Sequence, residues 1–104
     1  MQEKVRDFNK NKTCHKKQMP ICARLLDIQS ELGELSKEYL KNSNYGTSNF
    51  ETNHEFKMEF GDVLYSIMSL ACELSIDAEN CLDMALEKYR DRIKKNNFMG
   101  SEKK

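Results

Sequence analysis

Glu31-x-x-Glu34 and Glu59-x-x-Asp62 are the residues whose types and spacing could do chemistry. Residues three apart on an α-helix project from nearly the same side, so each segment presents an acidic pair. Two such helices packed side by side bring four carboxylates together, where they repel one another unless a cation neutralises them. Hard oxygen donors favour Mg²⁺ or Mn²⁺ over zinc. A polyphosphate drawn to such a centre would meet a polarising cation and a carboxylate able to orient or deprotonate water. That combination is metal-assisted hydrolysis of a phosphoanhydride.

A single acidic pair on a helix is ordinarily a solvated face. Here two pairs occupy matched positions. In the first segment Ile21, Leu25, Ile28, Leu32, Leu35 and Tyr39 form an apolar stripe, and Asp27, Glu31, Glu34 and Glu38 flank it at roughly 100°. In the second, Phe56, Phe60, Val63, Ile67, Leu70 and Leu74 form the stripe, flanked by Glu55, Glu59 and Asp62. Both acidic rows are expected to border a buried seam.

The same residues resemble the MazG-like all-α nucleoside triphosphate pyrophosphohydrolases, whose hallmark is Glu-x-x-Glu, a spacer, then Glu-x-x-Asp. Gly33-Glu34-Leu35 is similar to the family's Gly-Glu-Leu, and Gly61-Asp62-Val63-Leu64 to its Gly-Asp-Val-Leu. Lys88-Tyr89-Arg90-Asp91-Arg92 resembles a Lys-Tyr-x-x-Arg ending found in some members, and the likeness runs from about Val5 to Lys95. Ser30 stands where many members carry a further Glu. The resemblance implies Mg²⁺, with Mn²⁺ as substitute, held by Glu31, Glu34, Glu59 and Asp62, and Glu34 also positioning the attacking water. It implies cleavage between the α and β phosphates of a nucleoside triphosphate, giving the monophosphate and pyrophosphate. Lys88 and Arg92, four apart on one helical face, are the expected phosphate contacts, because Arg grips phosphate in a fork and Lys adds a point charge.

The elements that must position these groups are helices. Residues 2–9 suit a short helix presenting Val5 and Phe8, followed by a basic loop to Met19. Pro20 suits a first turn, and the apolar repeat then runs from Ile21 to Leu40. Turn formers from Asn42 to Asn49 separate the two acidic segments, which makes their helices antiparallel neighbours. The next helix starts between Glu51 and His54 and ends near Leu74, broken by Ser75-Ile76-Asp77. Asp77 is a suitable N-cap for a last helix from Ala78 to about Lys95, with the stripe Leu82, Leu86, Tyr89 and Ile93. Residues 96–104 read as a flexible tail. Gly33 and Gly61, each costing about 1 kcal/mol against Ala in a helix, suggest close helix approach near the acids. The expected fold is all-α: one domain over residues 1–104, an antiparallel bundle of about four helices completed by homo-oligomerisation.

Composition sets further bounds. The chain has 104 residues, 38% hydrophobic, which leaves little for a deep core and predicts a homodimer, with a tetramer as the alternative. Net charge is +0, which argues against nucleic acid as a partner, yet charge is segregated. Residues 1–20 carry six Lys/Arg against two acids, 27–87 are strongly acidic, and 88–104 carry seven Lys/Arg against two. With no apolar run near the roughly 20 residues of a span and no signal-like start, a cytoplasmic protein without membrane attachment is expected. Cys14, Cys22, Cys72 and Cys81 lack C-x-x-C spacing and read as reduced, three of them in amphipathic packing positions. Cys14-His15 has no spaced partner ligands and reads as loop.

Three other readings use the same features. A di-iron carboxylate bundle needs Glu-x-x-His, which neither His15 nor His54 completes. A phosphoribosyl-ATP pyrophosphohydrolase would share the fold and the Mg²⁺ chemistry and differ in nucleotide. A non-catalytic helical interaction module would use the Leu and Met stripes, but gives no reason for acids clustered beside them. Phe8, Tyr45 and Phe50 lie near loops where a base could stack, although helical aromatics are more often core.

Overall fold

The computed structural model describes residues 1–11 and 20–96. They form four helices, α1 (Gln2–Lys10), α2 (Ile21–Asn42), α3 (His54–Leu74) and α4 (Ala78–Asn96), with no strand among the described residues. Pro20 lies one position ahead of α2 rather than inside its first turn; its carbonyl accepts the first helical bond, from Arg24 N–H at 2.9 Å. The Ser43 hydroxyl closes α2 by donating to Tyr39 O at 2.8 Å, and Asn44, Tyr45 and Gly46 then turn the chain through positive φ. Phe50 sits between Tyr39 and Phe56, tilted against the first and edge-on to the second with centroids 4.8 and 4.9 Å away, and ties the loop to both helices. Asn53 caps α3, its Oδ1 accepting from Phe56 N–H at 2.8 Å. Asp77 caps α4 as expected, accepting from Glu79 N–H at 3.0 Å and Asn80 N–H at 3.2 Å. The basic loop and the tail expected from sequence fall largely outside the described residues.

α3 is the centre, with α2 and α1 packed along it. The pairs Arg24 with Glu73, Asp27 with Ser66, and Asn42 with Asn53 run in opposite chain directions, so α2 and α3 are antiparallel. α1 docks through Asn9, whose Oδ1 accepts from Tyr65 Oη–H at 2.7 Å while its Nδ2 donates to Ser69 Oγ at 3.2 Å. At its other end Gln2 bridges the α3–α4 turn. Its Oε1 accepts from Ala78 N–H at 2.7 Å and its Nε2 donates to Ile76 O at 2.8 Å. α4 makes few contacts with the other helices, so three helices pack and the fourth branches away.

The apolar stripes lie only partly in the seam: Val63 is buried and Ile28, Leu35, Phe56 and Leu70 are half-buried. Val63 and Ala71 are the only buried hydrophobic residues among those described, while Arg24, Ser66 and Ser69 are buried on the packed faces. Leu25, Leu32 and Tyr39 on α2, and Phe60, Ile67 and Leu74 on α3, remain 38 to 51% exposed. Polar pairing helps to close the α2–α3 contact, and these six residues are left on its flank. Each set repeats every seven residues, which keeps it on one line of its helix. Each line is displaced from its acidic row in the same rotational sense, so antiparallel packing turns both to the same side of the pair.

Two further expectations change. A Cβ at Gly33 or Gly61 would meet nothing within 4 Å, so neither glycine permits a close helix approach within the chain. Cys22 and Cys81 are free but exposed, which leaves only half-buried Cys72 in a packing role. The radius of gyration is 17.1 Å, against about 13 Å for a compact chain of this length.

Candidate metal centre

α2 and α3 bring Glu31, Glu59 and Asp62 together. Each can offer a carboxylate oxygen such that the three atoms lie within 4.8 Å of one another. Glu31 and Glu59 are half-buried, and Asp62 is open to solvent. The antiparallel register causes this: Asp27 to Ser66 is one turn along the same seam, and stepping one turn further on each helix reaches Glu31 and Asp62.

The electrostatics are those of crowded like charges. The Glu31 carboxyl is held above its usual range, first by partial desolvation and then by repulsion from Asp62, Asp27, Glu59 and Glu34. Glu59 is raised for the same reasons, by desolvation and then by Asp62, Glu34 and Glu38, with Lys37 opposing. Three carboxylates from two helices, without His or Cys in the group, are a donor set that fits a hard divalent cation.

Glu34, expected as a fourth ligand, lies outside the trio. It is exposed, and its Oε1 sits 3.7 Å from Lys37 Nζ one turn along α2. It still faces the cluster, since its charge contributes to raising both Glu31 and Glu59. Lys88 and Arg92 lie on α4, which makes few contacts with the other helices. Both lie against the Tyr89 ring, at 5.2 and 5.6 Å from its centroid, on the helix that branches away. Lys37 is a cation that acts on the cluster, opposing the rise at Glu59.

Sequence reasoning left three contributors out of the site. Asp27 accepts a hydrogen bond from Ser66 Oγ–H at 2.9 Å and lies 3.5 Å from Arg24 Nη1, which fixes the turn that precedes Glu31. Glu38, mostly buried and paired with Lys41 at 3.3 Å, and Lys37 complete the surroundings. Asp27 and Glu38 belong to the acidic row visible in sequence; Lys37 was signalled only by its place three residues after Glu34. No protein-family model, curated protein or solved structure matches this chain.

Proposed function

We propose that this chain is a Mg²⁺-dependent nucleoside triphosphate pyrophosphohydrolase of the MazG-like kind, yielding nucleoside monophosphate and pyrophosphate. The observation that carries the reading is the convergence of Glu31, Glu59 and Asp62 from two helices, at the positions the family resemblance picks out. These three carboxylates hold the cation. When bound, it supplies charge neutralisation and polarises the phosphoryl group.

Glu34 orients the attacking water and accepts its proton, because it is open to solvent and its charge acts on Glu31 and Glu59. Lys37, 3.7 Å from Glu34 and exposed, is available to a substrate phosphate oxygen. Lys88 and Arg92 serve as phosphate contacts, a point charge and a fork. The working form is a homodimer joined through the exposed lines Leu25, Leu32, Tyr39 and Phe60, Ile67, Leu74, since an apolar face of that extent is costly to leave in water.

The test is incubation with a panel of ribo- and deoxyribonucleoside triphosphates, and phosphoribosyl-ATP, with Mg²⁺. Release of pyrophosphate that stops with EDTA is the expected result. If no nucleotide is hydrolysed, the helical interaction module replaces the enzyme; if EDTA-treated protein is equally active, the metal assignment is wrong.

A further inference from the structure

Among the described residues, side-chain hydrogen bonds tie α2 to the α3 side of the seam at Arg24 with Glu73, Asp27 with Ser66, and Asn42 with Asn53. The acidic trio lies between the last two, and unequally so. Asp27 precedes Glu31 and Ser66 follows Asp62 by four residues each, about 6 Å along either axis, whereas Asn42 lies eleven residues beyond Glu31, about 16 Å away. The Ser66 hydroxyl, buried at 2% exposure, therefore makes the nearest tie to the cluster, donating to Asp27 Oδ2 at 2.9 Å. We infer that Ser66 is a positioning residue for the cation site: through Asp27 it sets the α2–α3 register that brings Glu31 to Glu59 and Asp62.

The role rests on the cation site of the proposed hydrolase, and the other features beside the cluster do not supply it. A Cβ at Gly33 or Gly61 would meet nothing within 4 Å, so backbone contact does not set the spacing there. Val63 is buried next to Asp62, but apolar burial is non-directional and is satisfied in any register that covers the side chain. A hydrogen bond between one donor and one acceptor demands a particular register. The tie also works against repulsion. Asp62 and Glu59 on α3 act on the Glu31 charge on α2, which drives the two helices apart at the cluster when no cation is bound. Asp27 is itself kept from joining the trio, because its Oδ2 meets both the Ser66 hydroxyl at 2.9 Å and Arg24 Nη1 at 3.5 Å. It serves there as an acceptor oxygen rather than as a further ligand.

The experiment is titration of the full chain with Mn²⁺ alone, read by the free-ion electron paramagnetic resonance signal, with urea unfolding of each metal-free variant alongside. Ser66→Ala is expected to weaken Mn²⁺ binding about tenfold, the lower end of what losing an outer partner costs a metal site. Ser69→Ala is the matched control. Its hydroxyl is equally buried on α3 but faces α1, accepting from Asn9 Nδ2 at 3.2 Å, so this variant is expected to lose comparable stability with unchanged Mn²⁺ affinity. Asp27→Ala, at a partly exposed position, is expected to repeat the Ser66→Ala loss. Asp27→Asn should bind close to wild type, because an amide oxygen still accepts from Ser66. Should Ser66→Ala fail to fold, the two Asp27 variants decide by themselves. Wild-type affinity in Ser66→Ala or Asp27→Ala, equal weakening in Ser69→Ala, or an Asp27→Asn as weak as Asp27→Ala would overturn the positioning role and leave the hydrolase reading standing. A wild type that binds no Mn²⁺ would overturn both.

Discussion

Arg24 near the start of α2 and Glu73 near the end of α3 meet with Nη2 2.9 Å from Oε2, and their side chains are only 7% and 9% exposed. Burial works against the Arg24 charge, but the hydrogen bond and attraction from Glu73 outweigh it, and its pKa is raised. Removing one partner strands the other charge, which typically costs about 3 to 5 kcal/mol. Arg24→Met is therefore expected to destabilise by about that amount in urea unfolding. Arg24→Met/Glu73→Leu should recover most of the loss. If the single variant is as stable as wild type, the pair does not hold α2 to α3.

Neutralising one member of the acidic trio should separate stability from metal response. Glu31→Gln is expected to leave the metal-free protein as stable as wild type or more so, because the repulsion on Glu31 is gone. It should also lose most of the thermal shift with Mg²⁺, which for an intact site corresponds to about 2.7 kcal/mol at one hundred times Kd. Melts of both proteins with and without Mg²⁺ decide this, and an undiminished shift in the variant removes Glu31 from the site.

The raised carboxyls of Glu31 and Glu59 give the metal-free protein a definite pH response. In the folded chain these groups take up protons at a higher pH than in the unfolded chain. Between the ordinary Glu value and the raised one, the native state binds more protons, so stability falls as pH rises through that window. Melting temperature should therefore increase as pH is lowered toward the ordinary Glu value. The increase should shrink in Glu31→Gln/Glu59→Gln and in the presence of saturating Mg²⁺.

Leu32 and Phe60 stand half-exposed on the lines assigned to the dimer. Leu32→Asp and Phe60→Asp should lower the sedimentation mass with little loss of helix signal, since surface changes away from packed features usually stay within about 0.5 kcal/mol. An unchanged mass in both variants would move the dimer contact elsewhere.

Much of this architecture is written locally. Asn53 and Asp77 cap their helices by side-chain oxygens, and the Asp77 cap was legible because the break and the apolar repeat agree. The convergence of Glu31 with Glu59 and Asp62 was legible too, since spacing fixes which residues share a side and the short connection makes the two helices antiparallel neighbours. What periodicity could not supply is the identity of the covering surface. The stripe through Leu25, Leu32 and Tyr39 reads the same whether it packs within a chain or between chains, and here the chain spends its own seam on Arg24, Asp27, Ser66 and Glu73. The direction of α4, which carries Lys88 and Arg92, was not legible either: sequence shows that the helix exists, and the three-residue turn with left-handed Ser75 decides where it points.

The sparse docking of α4 divides the chain into parts that open at different free energies. α3, gripped by α1 and α2, should hold its amide protons to the global limit, whereas α4 is tied mainly through the Gln2 bridge at Ile76 and Ala78. Hydrogen exchange along α4 should accordingly be faster than in the middle of α3. Each chain thus carries one helix that can loosen while the other three stay closed.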